Sequence, residues 1–336
     1  MNICRRTIGI IGAILAVVPL ASAQKVGTTS MQFLKVMPCA RGTAMGDAYT
    51  TFAEGAEAVF WNPGGVGIVQ RPEVSSTYID WIFDTQLGSI SYAMPLEDLG
   101  AVGLQLQYID YGVFDEAVAT GSGTAALTGR QFHPFAYLVG ITYARSMTER
   151  FSTGLSIKYA HESLYDKSTV LTQTALGTAD TVNTYGRGVL FDFGLRYNTG
   201  FRTVVIAASV QNFGASIRYA REANPTPLLF RLGVGADVIG TGGLLLEDSD
   251  NRVSVEFDLF QPNDYTQQMH AGIEYSFGGF FALRAGYKFN YDSEGFTAGG
   301  GIRKEFGGVL LSIDYAYAPM GIYLGKAHRI SLGAGL

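Results

Sequence analysis

The residues best placed to do chemistry in this sequence are charged side chains that recur at alternate positions between small or apolar ones. Alternate positions of a β-strand share one face, so charges on neighbouring strands can form ion pairs across that face. The predicted set is Asp192, Arg196, Arg231, Glu256, Asp258, Glu274, Arg284, Lys288, Arg303 and Arg329. Because neither sign dominates, the set favours a cross-linked polar interior over a charge-selective channel.

No residue set for catalysis, cofactor binding or metal binding is apparent. The histidines His133, His161, His270 and His328 lack the spacing of metal ligands, which favours isolated structural roles. The sequence contains no glycine-rich phosphate loop, and its acidic turn at residues 247–250 lacks the spacing of a calcium loop. We therefore predict that the protein is not an enzyme and holds no cofactor.

Strands must position these charges, and the sequence predicts many of them. Between residues 189 and 198, large apolar side chains at odd positions alternate with Asp192, Gly194 and Arg196 at even ones, the period of a strand. Each such segment is near the ~10 residues that a tilted membrane strand needs, and we count about fourteen. They lie at residues 73–81, 86–95, 100–109, 134–145, 151–161, 187–198, 203–212, 228–238, 251–260, 268–277, 280–290, 296–305, 309–318 and 327–336. The predicted fold is all-β, a transmembrane antiparallel β-barrel of about 14 strands.

The predicted connections alternate in length, which tests the barrel separately. The short ones are 96–99, 146–150, 199–202, 278–279 and 306–308, and the long ones are 110–133, 162–186, 213–227 and 319–326. Short turns at one end and long loops at the other are typical of outer-membrane barrels. The link at 239–250 is an exception, because its place in the order predicts a short turn.

A soluble β-sandwich is the competing interpretation, since its sheets also bury one face. Two features favour the membrane barrel. Many inward positions are glycine, namely Gly103, Gly140, Gly154, Gly194, Gly233, Gly272 and Gly286. Tyrosines fall near strand ends, as in an interfacial aromatic girdle, at Tyr108, Tyr143, Tyr159, Tyr197, Tyr275, Tyr287 and Tyr317.

The composition agrees with a surface that faces lipid. The 336 residues are 47% hydrophobic and only 16% charged, with 43 Gly, and the formal net charge is −5. No basic stripe is present to bind a phosphate backbone, so we predict no nucleic-acid partner.

The first 23 residues predict export. Arg5 and Arg6 precede an apolar run at residues 8–20, which is too short to span a bilayer comfortably. Small residues at 21–23 suit a signal peptidase, and we predict cleavage before Gln24. Cys39 would then be the one remaining thiol, which excludes an internal disulfide. The predicted organisation is a signal peptide at 1–23, a plug at 24–70 and a barrel of the bacterial outer membrane at 71–336.

One stretch, residues 40–67, is rich in small residues and does not alternate; it reads ARGTAMGDAYTTFAEGAEAVFWNPGGVG. Glycines in its first part, 41–47, let the backbone lie close to other surfaces. Its second part, 54–61, predicts a short helix that ends at Asn62 because Pro63 disfavours helical geometry there. We predict that this partly helical segment plugs the barrel.

Both ends of the mature chain resemble a known family. Phe33-Leu34-Lys35 with the stretch at 40–67, and the ending DYAYAPMGIYLGKAHRISLGAGL at 314–336, are similar to the signatures of the PorV/PorQ group of outer-membrane proteins. The plug residues that carry the resemblance are Arg41, Gly42, Met45, Gly46, Asn62, Pro63 and Gly64. Asn62-Pro63-Gly64 is also similar to the NPA motif of the broader FadL family of hydrophobic-compound transporters. The sequence departs from the group's pattern at 54–57, Gly64 and Leu336.

The resemblance implies a FadL-like barrel with an N-terminal hatch and leaves two functions open. PorV-like members serve the type IX secretion system and receive exported cargo proteins at the outer membrane. FadL-like members admit hydrophobic small molecules through a side opening. The implied partners are outer-membrane lipid, with either secretion-system proteins and cargo or a hydrophobic ligand.

Overall fold

The computed structural model describes residues 26–119, 124–167, 169–173 and 179–336. The predicted signal peptide, residues 1–23, lies outside these ranges. In chain order the strands are β1 (Glu73–Asp80), β2 (Gln86–Pro95), β3 (Ala101–Asp110), β4 (Phe114–Ala119), β5 (Ala125–Phe132), β6 (Phe135–Ser146), β7 (Phe151–Ser163), β8 (Thr169–Gln173), β9 (Ala179–Asn183), β10 (Tyr185–Asn198), β11 (Val205–Gly214), β12 (Ile217–Tyr219), β13 (Glu222–Asn224), β14 (Leu229–Ile239), β15 (Asn251–Pro262), β16 (Gln268–Phe277), β17 (Phe281–Phe289), β18 (Phe296–Phe306), β19 (Val309–Pro319) and β20 (Lys326–Gly335).

Helices are few and short. The α-helices are α1 (Ala40–Ala44), α2 (Ala58–Trp61) and α3 (Gly321–Leu324), and 3₁₀ turns cover Gln32–Lys35, Gly55–Glu57, Pro63–Ile68 and Glu97–Leu99. Among the described residues, no helix has the length and hydropathy needed to cross a bilayer.

Fourteen strands form a closed antiparallel barrel in the order β1-β2-β3-β6-β7-β10-β11-β14-β15-β16-β17-β18-β19-β20. The first and last strands pair from Glu73 with Gly335 to Asp80 with His328, which closes the wall. The predicted antiparallel barrel is therefore confirmed, and the predicted strand bounds differ from the observed ones by no more than two residues.

The two ends of the barrel differ. The remaining strands form three hairpins, β4–β5, β8–β9 and β12–β13, within the connections predicted to be long loops. We call the end that carries them the loop end, and the opposite end, where β1 begins and β20 finishes, the turn end. The link after β14 is the predicted exception to short turns at this end, and it is indeed long, at residues 240–250. It folds back so that Leu246 pairs with Ile239.

The outer face of the barrel is apolar. Ile141 and Leu283 are exposed on the outside, whereas the adjacent Thr142 and Arg284 are buried inside. The predicted girdle tyrosines are also exposed, except for the half-buried Tyr317. Because so large an apolar surface is stable only against another apolar phase, the wall is built to face lipid.

The inner wall near the loop end differs from the small or ionic lining that we predicted. Ile79, Leu87 and Leu190 point inward there and are buried against Phe33 and Leu34 of the N-terminal segment. This segment brings apolar side chains into the lumen, and burying them requires apolar partners on the wall. The lining near the loop end is therefore mixed, because Arg329, the pairing partner of Ile79, is also buried there.

The described residues before β1, 26–72, run through the lumen, and we call them the plug. At the loop end, Ser30 N donates to Pro225 O at 2.9 Å, and at the turn end Leu336 N donates to Pro72 O at 2.8 Å. The plug thus crosses most of the barrel from the loop end to the turn end.

The exposed wall predicts a depth-dependent cost for added charge. Ile141, at the middle of β6, is 53% exposed on the outer face. In a bilayer, Ile141→Arg is expected to lower the free energy of unfolding by about 2–4 kcal/mol, measured by urea titration of protein refolded into lipid vesicles. Ile322→Arg is the matched control, because Ile322 is 88% exposed in the loop-end helix α3 and should tolerate the charge. Equal effects of the two variants would contradict the assignment of the wall to lipid.

Candidate functional site

The plug has so little regular structure that its local turns depend on side chains. The Cys39 sulfur accepts a hydrogen bond from Gly42 N at the start of α1. Asn62 ends α2 in an extended conformation, with φ −151°, as expected of the residue before a proline. Its Oδ1 then accepts from Gly64 N at 3.0 Å, which caps the next turn.

Glycines in the wall allow the plug backbone to touch it. A Cβ added at Gly286 would lie 2.1 Å from Gly46 N, and one at Gly194 would lie 2.1 Å from Asn62 Oδ1. At Gly154 the added atom would lie 2.3 Å from Pro63 O. Any larger side chain at these wall positions would push the plug away, so the inward glycines fit the contour of the plug.

Carboxylates of β15 bind the backbone of the plug. Asp258 Oδ2 accepts from Tyr49 N and Thr50 N, each at 3.2 Å, and from Thr50 Oγ1 at 2.6 Å. Glu256 Oε1 accepts from Thr51 N at 2.5 Å. These donors belong to the turn between α1 and α2, where no strand or helix satisfies them. The wall carboxylates therefore replace the secondary structure that the turn lacks.

Side-chain amides of the wall serve the carbonyl groups of the plug in the same way. Gln105 donates to Val59 O at 3.2 Å, and Gln211 donates to Phe60 O at 2.6 Å. Asn62 of the plug donates in turn to Leu195 O of β10 at 3.0 Å. The plug and the wall thus share one hydrogen-bond network.

Arg41 of α1 makes a bidentate ion pair with Glu274 of β16. Its Nε lies 2.8 Å from Glu274 Oε2, and its Nη2 lies 2.7 Å from Oε1. The two arginine nitrogens therefore donate in parallel to the carboxylate. Glu274 also accepts from Arg284, whose Nη1 lies 2.5 Å from Asp314 Oδ1. Signs alternate along this chain of four largely buried groups, which compensates each charge.

Four more ion pairs cross-link the lumen. Lys288 Nζ lies 2.6 Å from Asp47 Oδ2 of the plug and 2.5 Å from Glu294 Oε2. Arg196 Nη2 lies 2.9 Å from Glu54 Oε1 of the plug. The fourth pair stays within the wall, where Lys158 Nζ lies 2.7 Å from Asp192 Oδ1.

The predicted charge set is therefore not one cluster. Most of its members pair with the plug or with each other, whereas Arg231 and Arg329 form no ion pair within the described part of the chain. Arg303 is exposed at the turn end, where it lines a cavity of about 310 Å³ together with Arg41 and Glu274. Met45 and Gly42 of the predicted plug motif are buried against the wall and Trp61, respectively.

Sequence reasoning missed several residues that cross-link the lumen or the plug. Lys158 alternates with Gly154 and Ser156 on β7, so its inward direction was readable but its partner was not. Glu57 accepts from the Cys39 thiol at 3.0 Å and from the Tyr49 hydroxyl at 3.1 Å, which joins the two halves of the plug. No sequence pattern links these three residues.

A clamp holds the N-terminal end of the plug at the loop end. Asp264, in the link between β15 and β16, accepts from Thr29 Oγ1 and from Lys35 Nζ, each at 2.6 Å, and from Gln32. Burial alone would raise the pKa of Asp264, but the hydrogen bonds from Lys35, Thr29 and Gln32 outweigh it and hold that pKa below its ordinary value.

The lumen contains no candidate metal centre and the wall has no gap within the described residues. No group of three or more His, Cys, Asp or Glu side chains there is arranged to hold a metal ion. His270 instead contacts the Tyr291 hydroxyl, with its Nε2 at 2.8 Å. Every barrel strand pairs with both of its neighbours among the described residues, so the wall is one closed hydrogen-bonded sheet.

Comparisons with known proteins agree on the architecture. A model of the family described as type IX secretion system protein PorV matches residues 20–262. Among solved structures, the fold is similar to the toluene transporter TodX of Pseudomonas putida, with a TM-score of 0.55 and 13% identity over 87% of this chain and 95% of that chain.

Two other structures are similar to a comparable extent. The monoaromatic hydrocarbon channel CymD has a TM-score of 0.52 and 12% identity, covering 91% of this chain and 97% of that one. A FadL homologue of Pseudomonas aeruginosa has a TM-score of 0.51 and 12% identity, covering 93% and 99%. No curated protein sequence matches the chain. Identities this low show a shared fold alone.

The buried Arg41–Glu274 pair predicts that one neutralised carboxylate loosens the plug. Glu274→Gln leaves two buried guanidinium groups undercompensated, an effect that typically costs about 3–5 kcal/mol. The buried Cys39 thiol reports on plug opening in a Cys4→Ser background, and its alkylation rate is expected to rise by about 100-fold or more.

Glu116→Gln serves as the control for this variant. Glu116 pairs with Arg130 at 3.8 Å on the exposed hairpin β4–β5, so its loss should leave Cys39 protected. An unchanged alkylation rate in Glu274→Gln would show that the ion pair does not hold the plug.

The Asp264 clamp predicts release of the N-terminal end in acid. Because the folded-state pKa is depressed, the clamp contributes stability that is present above about pH 3.9, the pKa of an exposed aspartate, and is lost as the pH falls through the lower folded-state value. Pepsin cleavage at Phe33-Leu34, normalised to an exposed peptide, should therefore accelerate below that pH. Asp264→Asn should be cleaved faster at every pH and lose the acid step. The same pH profile in both proteins would refute the clamp.

Proposed function

Because the chain belongs to the PorV family of type IX secretion system proteins, we propose that it receives exported cargo proteins at the extracellular end of an outer-membrane barrel. The family match carries this proposal, since it covers residues 20–262 and includes the plug. It also confirms the resemblance seen at the N-terminal end of the sequence.

The fold and the membrane location of the protein do not depend on the cargo proposal. The protein is an outer-membrane β-barrel whose apolar outer face contacts lipid. Its family and fold are those of transport or secretion barrels rather than of enzymes. The orientation follows from the outer-membrane pattern, in which the loop end is extracellular and the turn end is periplasmic.

The hairpins at the loop end support a protein partner. The strands of β4–β5 pair only with each other within the described part of the chain, so each keeps a free edge. Free edges can bind an extended strand of another protein through backbone hydrogen bonds. Phe114, Val118 and Leu127 are exposed on this hairpin, and they offer apolar contacts to the same partner.

The cross-linked plug supports docking rather than passage through the barrel. The plug is fixed by buried ion pairs at Arg41 and Asp47 and by the carboxylates of β15. Moving the plug aside would break these pairs and leave several buried charges without a partner, and each such charge is costly. A barrel so cross-linked is suited to presenting a rigid rim.

The second candidate function is FadL-like transport of a hydrophobic molecule. The similarity of the fold to TodX and CymD favours it, since those proteins are a toluene transporter and a hydrocarbon channel. The closed wall weighs against it, and so does the apolar inner surface near the loop end, which Phe33 and Leu34 of the plug already cover. We therefore favour the secretion role over hydrophobic transport.

The proposed organisation of the precursor rests on sequence. We propose that residues 1–23 are removed on export by cleavage before Gln24, that 24–70 form the plug and that 71–336 form the barrel. Sequencing of the N-terminus of protein purified from outer membranes tests the cleavage position.

The cargo proposal predicts that the loop-end hairpin is needed for delivery. In the native host, replacing residues 114–132 with a short Gly-Ser turn should reduce surface delivery of type IX cargo, measured by cell-surface labelling, because the docking edge is lost. Shortening the turn-end link at 241–249 is the matched control and should leave delivery intact, with Cys39 protected in both variants. Unchanged delivery after deletion of the whole gene would eliminate the secretion role, whereas unchanged delivery in the hairpin variant alone would move the docking site elsewhere.

A further inference from the structure

A cavity of about 220 Å³ lies in the lumen near the loop end. Its lining includes Trp81, Tyr265 and Tyr291, which belong to the links that follow β1, β15 and β17. The cavity therefore lies beneath the extracellular loops rather than near the periplasmic turns. Asp47 and Lys288, which pair the plug with the wall, border this cavity, but the proposed cargo role does not use it.

The cations that line this cavity are not equally compensated. Lys288 lies between the carboxylates of Asp47 and Glu294, and Lys35 is bound by Asp264. By contrast, Arg231 is 2% exposed and Arg329 is 3% exposed, and neither forms an ion pair within the described residues. The Nε and Nη1 atoms of Arg231 and the Nε atom of Arg329 are buried without a hydrogen-bond partner.

Aromatic rings fix the planes of both guanidinium groups. The Arg231 guanidinium carbon lies 4.2 Å from the centroid of the Phe260 ring and 5.0 Å from that of Trp61. The Arg329 guanidinium carbon lies 4.9 Å from the centroid of the Trp81 ring. Such stacking stabilises the cation through its face, but it satisfies none of the N–H groups, which point outward in the plane of the guanidinium.

Two buried guanidinium groups with unsatisfied donors call for a planar oxyanion, because a carboxylate accepts two parallel N–H bonds from each arginine fork. The lining also contains aromatic rings, at Trp81, Phe260 and Tyr291. Its carboxylates, Asp47 and Glu294, are paired with Lys288. A cavity of about 150 Å³ is enough for benzene, so this one has room for a ring with a carboxylate. We propose that the cavity binds a small aromatic carboxylate that enters from the extracellular side.

The competing arrangement is internal. Asp258 Oδ1 is also buried without a hydrogen-bond partner, and rotation of Arg231 toward it would satisfy both groups. The cavity would then keep only Arg329 for an anion. Binding measurements separate the two arrangements, because only the proposed one makes ligand affinity depend on both arginines.

The test uses benzoate as the probe and the full chain in detergent. Titration calorimetry is expected to detect benzoate binding and to show that toluene, which has the ring without the carboxylate, binds at least tenfold more weakly. Tryptophan fluorescence should change with the same saturation curve, and the change should be lost in Trp81→Phe. Arg231→Gln and Arg329→Gln should each weaken benzoate binding by about tenfold or more, as expected for loss of a charge-assisted hydrogen bond.

Arg303→Gln is the matched control, because Arg303 lines the turn-end cavity instead and should leave the benzoate affinity unchanged. Protection of Cys39 from alkylation verifies that each variant keeps its plug, and Arg231→Lys replaces Arg231→Gln if the latter fails this check, with weaker binding again expected. Equal affinities for benzoate and toluene would overturn the anion site. Binding of inorganic phosphate without benzoate would overturn the aromatic part, and loss of benzoate binding in Arg329→Gln but not in either Arg231 variant would establish the internal Arg231–Asp258 arrangement.

Discussion

The backbone of the plug needs hydrogen-bond partners inside the barrel, and this requirement explains most of the polar side chains that line the lumen. Its α-helices, α1 and α2, span only residues 40–44 and 58–61, and the turn at 49–51 directs its backbone N–H groups at the wall. An unsatisfied buried N–H or C=O group costs as much as a lost hydrogen bond or more. The inward side chains of β15, β3 and β11 supply those partners, which is why polar residues that would destabilise an ordinary core stabilise this one.

The same requirement accounts for the alternation of charge. Asp258 accepts hydrogen bonds from backbone N–H groups of the plug, whereas Glu274 faces two cations, Arg41 and Arg284. Burying ions is costly unless each is paired and hydrogen-bonded. The lumen contains both kinds of carboxylate, and it therefore behaves as a cross-linked interior rather than as a pore. That rigidity fits a barrel whose proposed work is done at its rim.

Glycine in the wall and apolar residues on the N-terminal segment solve complementary problems. Where the plug backbone touches a strand, as Gly46 touches Gly286, the wall residue has to be glycine because a side chain would not fit. Where the plug offers large side chains, as at Phe33, the wall offers Ile79 and Leu87 instead of charges. The lumen is thus shaped by its own N-terminal segment, and the cavity between Arg231 and Arg329 is a place that this segment leaves open.

The sequence by itself determined the barrel, because the direction of a strand side chain follows from parity along the chain. The alternation around Asp192 and Arg196, the lengths of the links and the non-alternating stretch at 40–67 were enough to predict fourteen strands, their two ends and a plug. Only the tertiary structure decided the partners. Glu57 with Cys39, Asp264 with Lys35 and Arg41 with Glu274 join positions that are distant in sequence. No local pattern fixes how far the plug reaches into the barrel or which wall residue it meets, because those contacts depend on closure of all fourteen strands around one irregular segment.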